Sequence, residues 1–273
     1  MTRSREPLPT RVEDLPELPP DYAAAVDDGL RVLGLTLMPG ARAALDGHVG
    51  LLLAWTRAIN LTAIRDPLAV ARAHVLDSLA AAPLLRDRHA DDLLDLGSGG
   101  GFPGLPLAIG LAARRTLLVD SIGKKARFLE TVVEALGLAA SVSVAGVRVE
   151  ALAGLPGHRE QWSAVVARAV ARLDQLARLG LPLVRVGGVL VAWKRLPLDA
   201  ELDAAQPAIQ QLGGGPPELV ACPIDGLEDH VLVFVPKFIP GPPPAPGNAV
   251  RRRPRPGLGD QGAGGQSRPT LRG

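Results

Sequence analysis

The sequence has few of the residues that would indicate a disulfide, a metal centre or a membrane span. It holds one cysteine, Cys222, and five histidines among 273 residues, so an internal disulfide is excluded and no clustered zinc ligand set is predicted. Its apolar runs are well short of the ~18 residues of a membrane helix. The N-terminus has no apolar signal core. We therefore expect a cytoplasmic protein with no metal and no membrane association.

Aromatic residues are also scarce, and the charges are almost balanced. Phe, Trp and Tyr make up 3% of the chain, which argues against an aromatic stacking platform for single-stranded RNA. The net charge is +2, yet residues 237–273 hold seven Lys or Arg and one acid. This asymmetry predicts a basic arm that contacts a polyanion, or a solvated extension without a partner.

The abundant residues predict a folded α/β protein between two irregular ends. Residues 1–20 contain five prolines and are expected to form a disordered lead-in. Helical patterns then fill residues 21–90, with Asp66 as an N-cap and Pro67 at the first helical position. Residues 237–273, rich in Pro, Gly and Arg, are expected to form a disordered basic tail.

Between residues 91 and 236, short apolar runs alternate with helical stretches. The runs are typical of strands in a doubly wound, mostly parallel sheet, and the last two suit an antiparallel hairpin at one edge. The predicted strands cover residues 93–96, 116–119, 142–144, 164–166, 189–193, 218–221 and 230–235. The expected fold is a Rossmann-like α/β domain preceded by a small helical segment.

A glycine loop follows the first predicted strand, where open α/β sheets bind their ligands. Gly97, Gly99 and Gly101 fit the methyltransferase pattern (acid)xGxGxG, with Asp95 two residues ahead, whereas Gly99, Gly101 and Gly104 also fit the dinucleotide pattern GxGxxG. The position of Asp95 and the missing N–H of Pro103 favour S-adenosylmethionine. An NAD-dependent oxidoreductase stays the alternative.

Asp120 ends the second predicted strand, about 20 residues beyond the glycines, where a carboxylate binds ribose hydroxyls. It also suits an N-cap for the helix that begins near Gly123. That helix starts with Lys124, Lys125 and Arg127, which are candidates for RNA phosphate contacts or form a solvated face.

Several motifs together resemble the glucose-inhibited division protein B family, bacterial methyltransferases of guanine N7 in small-subunit ribosomal RNA. The motifs lie at Trp55, 60–62, 65–67, His74, 76–78, 95–104, 120–121, 123–129, 148–150 and 167–169. The resemblance implies that S-adenosyl-L-methionine is bound by Gly97, Phe102, Val149, Glu150 and Arg168. It also implies that the substrate is a guanine in the decoding-region loop of 16S rRNA, met within a small-subunit ribonucleoprotein particle.

The tail departs from the family, whose members often end in a basic motif with Tyr-Pro-Arg. Here the corresponding stretch reads Pro236-Lys237-Phe238, and a cluster of four arginines follows within residues 251–255. Those arginines, candidates for RNA contact, are Arg251, Arg252, Arg253 and Arg255.

The chemistry predicted from the residues needs no general base. Guanine N7 offers an in-plane lone pair, so orientation can supply much of the rate. Arg168 ends the fourth strand and is the catalytic candidate, presenting its fork to guanine O6 or phosphate, holding the cofactor, or pairing with Glu150 or another acid. His74 either lines the RNA cleft or is structural. Cys222 is interpreted as a small core residue. A non-catalytic RNA-binding module is the second alternative.

Overall fold

A seven-stranded sheet forms the centre of the protein, as a computed structural model shows for residues 8–155 and 157–243. The strand order is β3-β2-β1-β4-β5-β7-β6, in which β7 runs antiparallel to its two neighbours β5 and β6, and the other neighbouring pairs are parallel. The strands are β1 Asp92–Leu96, β2 Arg115–Val119, β3 Val142–Ala145, β4 Trp162–Arg168, β5 Val184–Arg195, β6 Glu218–Ala221 and β7 His230–Pro236. This confirms the predicted doubly wound sheet with an antiparallel edge pair.

Helices pack on both faces of the sheet, which divides the apolar core into two clusters. The regular helices are α1 Pro20–Val32, α2 Ala41–Ile59, α3 Pro67–Val70, α4 Asp77–Leu79, α5 Ala82–Asp87, α6 Gly104–Gly110, α7 Gly123–Ala135, α8 Val149–Leu152, α9 Leu173–Gly180 and α10 Asp199–Gln211. The central strands β1 and β4 are buried over almost their whole length because both of their faces are covered. Apolar residues of α1 and α2 belong to the same cluster as Leu93 of β1, so the N-terminal helices share one core with a face of the sheet.

A π-helical turn, Ala71–Leu76, joins α3 to α4. Asp66 begins this region as predicted: its Oδ2 accepts the N–H of Ala69 at 2.8 Å, and Pro67 takes the first helical position. The stretch Pro67–Asp87 is apolar and long enough to cross a membrane, but 61% of its most apolar window is buried inside the protein. It is placed as a core helix, and π turns of this kind are frequent at functional sites.

The lead-in expected to be disordered over residues 1–20 is structured from residue 8 onward. Leu8, Val12, Leu15 and Leu18 pack against the helical core, and the indole Nε1 of Trp55 donates to the Pro9 carbonyl at 2.7 Å. The expectation was wrong for these residues because four apolar side chains at spacings of three or four compensate for the prolines. Residues 1–7 lie outside the described part of the chain.

The boundary placed at residue 237 is also too early. Lys237 is fully buried; its Nζ donates to Glu160 at 2.8 Å and to the Leu181 carbonyl at 2.7 Å. Glu160 also accepts the N–H of Gly241 at 2.9 Å. We call these contacts of Lys237 and Glu160 the Lys237 clamp. Because β7 is antiparallel to β5, the clamp lies at the end of the sheet opposite the carboxyl ends of the parallel strands. Residues 244–273 of the predicted tail, which include the candidates Arg251, Arg252, Arg253 and Arg255, lie outside the described residues.

Candidate active site

The glycine loop turns sharply between β1 and α6 at the carboxyl edge of the sheet. Gly97, Gly99 and Gly101 have φ of 70°, 56° and 92°, a region that L side chains rarely adopt. Ser98 fixes the loop to β2, because its N–H donates to the Val119 carbonyl at 2.9 Å and its Oγ accepts the Val119 N–H at 3.0 Å. A Cβ at Gly99 would meet no atom closer than 3.8 Å, so the space above this residue belongs to an open cleft.

The N-terminus of α6 is poorly suited to a pyrophosphate. Pro103 precedes the helix and has no N–H, and the N–H of Gly104 is already donated to Asp95 Oδ2 at 3.0 Å. Asp95 is fully buried, and burial raises its pKa to about 7. A dinucleotide cofactor needs these N–H groups for its phosphates, so the loop geometry favours a ligand without phosphate.

Asp120 joins the loop to the start of α7. Its Oδ2 accepts the N–H of Gly99 at 3.0 Å and its Oδ1 accepts the N–H of Ile122 at 2.8 Å. The N-cap of α7 is Ile122, so the alternative role of Asp120 as the N-cap itself was wrong. Each carboxylate oxygen keeps a second lone pair for a ligand hydroxyl.

Asp120→Ala is expected to weaken cofactor binding by about 1.5 to 3 kcal/mol, the range for hydrogen bonds to a charged group. Calorimetry with S-adenosylhomocysteine measures this loss. A fall in melting temperature with unchanged affinity would leave Asp120 a structural role alone.

Phe102 lies at the centre of a column of stacked rings that closes one side of the cleft. His48 from α2 stacks on it at 4.5 Å between centroids, and His74 from the π turn stacks at 4.8 Å. The guanidinium carbon of Arg168 lies 5.4 Å from the same ring centroid. His48 is completely buried and its Nε2 donates to the Gly100 carbonyl at 2.7 Å. The column therefore fixes the glycine loop against the N-terminal helices.

Arg168 is held by the π turn and does not extend freely into the cleft. Its Nη1 donates to Asp77 Oδ2 and to the Ala73 carbonyl, both at 2.8 Å, and its Nη2 lies 3.1 Å from His74 Nδ1. His74 Nε2 lies 2.7 Å from the hydroxyl of Thr62. The ion pair that the sequence left open for Arg168 is thus made with Asp77 rather than with Glu150.

Asp77 brings three strands of the sheet together. Besides Arg168 from β4, its carboxylate contacts His230 from β7, with Nδ1 2.9 Å from Oδ1, and its carbonyl accepts the indole N–H of Trp193 from β5 at 2.8 Å. Its side chain is 1% exposed. No role for His230 was predicted from the sequence, since it lies 153 residues from Asp77 along the chain.

A cleft of about 530 Å³ opens above these groups. It is lined by Leu61, Thr62, Ile64, Ala73, His74, Asp77, Gly97, Ser98, Gly99, Gly100, Phe102, Lys125, Arg168, Ala169, Trp193, Lys194, Arg195 and His230. Most of the predicted cofactor residues meet here, and Asp120 is tied to the cleft through Gly99.

Four other predicted residues do not line this cleft. Val149 and Glu150 begin α8 after β3, two strands away from β1, with Val149 half-buried and Glu150 exposed. Lys124 and Arg127 are exposed on the first turns of α7, whereas Lys125 from the same turn reaches the cleft. These four residues follow β2 and β3 and lie on that side of the sheet.

Acidification is expected to destabilise the fold through the stacked histidines. Burial lowers the pKa of His48 and of His74 to about 4, so at these two sites the folded protein binds fewer protons than the unfolded chain between pH 6.5 and 4. The contribution of these two sites to stability therefore falls as pH falls through this window, by up to about 1.4 kcal/mol per pH unit for each histidine.

Urea denaturation between pH 7 and 4.5 tests this with His48→Gln, in which the amide can still donate to Gly100. The variant should lose less stability on acidification than the wild type. His89→Gln, at an exposed histidine, serves as control and should follow the wild type. If the free energy of unfolding falls with pH in the same way for all three proteins, His48 is not a source of the acid sensitivity.

Three features define an S-adenosylmethionine-dependent methyltransferase. They are the sheet order, the glycine loop that is poorly suited to a pyrophosphate, and the cleft at the carboxyl ends of the parallel strands. Solved structures share this fold. An O-methyltransferase from Bacillus cereus in complex with SAH has a TM-score of 0.52 at 14% identity, covering 79% of this chain and 100% of that chain. A SAM-dependent O-methyltransferase from Thermotoga maritima has a TM-score of 0.50 at 16% identity, covering 69% and 71%.

The chain belongs to the GidB family, described as rRNA small subunit methyltransferase G, which it matches over residues 42–226. A protein named ribosomal RNA small subunit methyltransferase G from Roseiflexus castenholzii is 43% identical over 189 residues, 69% of this chain and 80% of the relative. One of the same name from Chloroflexus aggregans is 42% identical over 226 residues, 80% of this chain and 92% of the relative. The family resemblance inferred from the motifs is confirmed.

Proposed function

We propose that this protein transfers a methyl group from S-adenosylmethionine to N7 of a guanine in 16S ribosomal RNA. The proposed substrate is the RNA within a small-subunit ribonucleoprotein particle, in the cytoplasm. Membership of the family supports ribosomal RNA as the substrate class. The chemistry of the cleft supports N7 as the acceptor atom.

The observation that carries this proposal is that His74 and Asp77, two titratable residues of the cleft, already have protein partners. Both ring nitrogens of His74 have protein contacts, and both oxygens of Asp77 have partners. Burial lowers the pKa of His74 to about 4, so it is a weak base at neutral pH. Acceptors that must lose a proton need a base, whereas the N7 lone pair reacts after orientation alone.

The cofactor is proposed to lie along the glycine loop. Gly99 leaves room for close approach, Gly97 and Phe102 line the cleft, and the carboxylate of Asp120 accepts from the ribose hydroxyls. Val149 and Glu150 are proposed contacts on the far side of the adenosine, and Arg168 positions the reacting groups. When bound, S-adenosylmethionine supplies a methyl group activated by its sulfonium charge.

RNA is proposed to approach across the cationic surface around the cleft. Lys125 lies within the cleft, Lys124 and Arg127 are exposed beside it, and phosphate contacts would account for their placement. His74 is also a candidate for contact with RNA. Because both of its ring nitrogens have protein contacts, it would contact RNA through the edge of its ring.

The test is a deletion strain in which N7-methylguanine in 16S rRNA is mapped by borohydride and aniline cleavage. Loss of one cleavage site, restored by the wild-type gene and not by the Arg168→Ala gene, is expected. The purified protein should then methylate small subunits with labelled S-adenosylmethionine. An unchanged cleavage pattern, or label found on ribose or an exocyclic amine, would overturn the proposal. Calorimetry with NAD beside S-adenosylhomocysteine tests the oxidoreductase alternative, and absence of turnover would favour a non-catalytic module.

Deleting everything after Pro246 is expected to weaken RNA binding if Arg251, Arg252, Arg253 and Arg255 contact phosphate. The salt dependence should flatten by about 0.7 to 0.9 in slope for each phosphate that the shortened protein no longer neutralises. Cofactor affinity should not change, because Lys237, in the last described part of the chain before the deletion, lies at the end of the sheet opposite the cleft. Filter binding at several salt concentrations measures the slope. An unaltered slope and affinity would make the arm a solvated extension.

A further inference from the structure

Asp77 is an acid within a strongly cationic cleft. Four cationic side chains line the cleft, and among the described residues that do so Asp77 is the single carboxylate. The cationic residues are Lys125, Arg168, Lys194 and Arg195. A ligand in this cleft therefore meets a field that depends on how each cation is compensated.

Two of these cations are paired with acids outside the cleft lining. Lys194 Nζ lies 2.6 Å from Glu201, and Arg195 Nη1 lies 3.2 Å from Asp229. Arg168 is paired with Asp77, at 2.8 Å, and this pair is the more buried of the two arginine pairs, with side chains 16% and 1% exposed. The charge of Arg168 is consequently cancelled from within the site.

Donors from two strands hold the Asp77 carboxylate beside Arg168. Arg168 Nη1 donates to Oδ2, and His230 Nδ1 lies 2.9 Å from Oδ1, where its N–H can donate to the carboxylate. Trp193 fixes the main chain of Asp77 from β5. Both carboxylate oxygens thus have a partner from the sheet, and the residue has no freedom to turn away from Arg168.

The ligand that belongs to this fold exists in two charge states. S-adenosylmethionine carries a positive sulfonium, whereas S-adenosylhomocysteine, the product of methyl transfer, has a neutral thioether and otherwise the same groups. A guanidinium without its carboxylate would repel the first ligand and leave the second almost unaffected, because Coulomb energies in a partly buried site are large.

We propose that Asp77 is a positioning residue that orients Arg168 and cancels its charge, and that it thereby sets the preference of the cleft between the methyl donor and the demethylated product. The proposal rests on the cofactor assignment. It requires no contact between Asp77 and the ligand, since the effect acts through charge.

The experiment measures the dissociation constants of S-adenosylmethionine and S-adenosylhomocysteine by calorimetry for four full-length proteins. These are the wild type, Asp77→Asn, Arg168→Gln and the double variant. The ratio of the two constants is the readout, because general damage to the cleft weakens both ligands together. A unit charge nearby changes binding by about tenfold at the effective dielectric of protein sites.

Asp77→Asn is expected to shift the ratio about tenfold against S-adenosylmethionine, and Arg168→Gln to shift it in the opposite direction. The double variant, in which the pair is neutral, should return to the wild-type ratio. Asp92→Asn is the matched control, since Asp92 pairs with Arg114 at the far edge of the sheet, and it should leave the ratio unchanged.

Equal ratios in the wild type and Arg168→Gln would overturn the proposal even if Asp77→Asn did not fold. A double variant with the ratio of either single variant would also overturn it. Failure of the wild type to bind S-adenosylhomocysteine would instead remove the cofactor assignment itself, so the two failures are distinguishable.

Discussion

Gly99→Asp is expected to abolish binding of S-adenosylhomocysteine while leaving a folded protein. A Cβ at this position points into the cleft, where the nearest atoms lie 3.8 Å or more away. The new side chain therefore takes up space that the ligand needs, and we expect affinity to fall at least about a hundredfold, or about 2.7 kcal/mol. Calorimetry measures the affinity and circular dichroism the fold.

The control for backbone strain is Gly137→Asp. Gly137 has φ of 65°, close to the 56° of Gly99, and open space around its Cβ position, but it follows α7 away from the cleft. Both variants should lose about 1 to 2 kcal/mol of stability from the left-handed conformation. Only Gly99→Asp should lose the ligand. Equal affinities for the two variants would show that the loop does not hold the cofactor.

Arg168→Met is expected to reduce the free energy of unfolding by about 3 to 5 kcal/mol, the cost of leaving one partner of a buried pair uncompensated. Asp77 is 1% exposed, so water cannot solvate its carboxylate when the guanidinium is removed. Urea denaturation at neutral pH measures the loss.

Lys237→Met provides the matched comparison, because Lys237 is a fully buried cation whose partner Glu160 is 26% exposed. Glu160 can regain water after the substitution, so this variant should lose less stability than Arg168→Met. It should also leave cofactor affinity unchanged, since the clamp lies at the opposite sheet edge. A larger loss for Lys237→Met would contradict the burial argument.

The strands could be predicted from the sequence because helices cover both faces of the sheet and most strands contain a short apolar run. Their ends could not be placed as well. The fifth strand, predicted over 189–193, runs over Val184–Arg195, because Gly187 and Gly188 interrupt the apolar pattern where the pairing with β4 shifts register. The ends at Asp92, which is buried, and Arg115, which is exposed, were missed because charged residues add nothing to an apolar pattern.

The site could be predicted where it is local in sequence and not where it depends on distant segments. Gly97, Gly99, Phe102 and Arg168 follow from strand ends and motifs, and the structure places them in one cleft. His48 and His230 carried no signal, because a histidine takes its role from what the fold brings to it. The contact between Asp77 and Arg168 spans 91 residues, and a single sequence cannot specify a pairing over that distance.

The π turn Ala71–Leu76 makes the site sensitive to chain length as well as to side-chain identity. Its wider winding accommodates one residue more than an α-helical turn, and it presents the Ala73 carbonyl and His74 to Arg168. Removing one residue here would let α3 continue into α4 as a regular helix, which rotates the two parts by about 100° relative to one another. A one-residue deletion would thus detach the arginine from its supports without changing any residue that contacts a ligand.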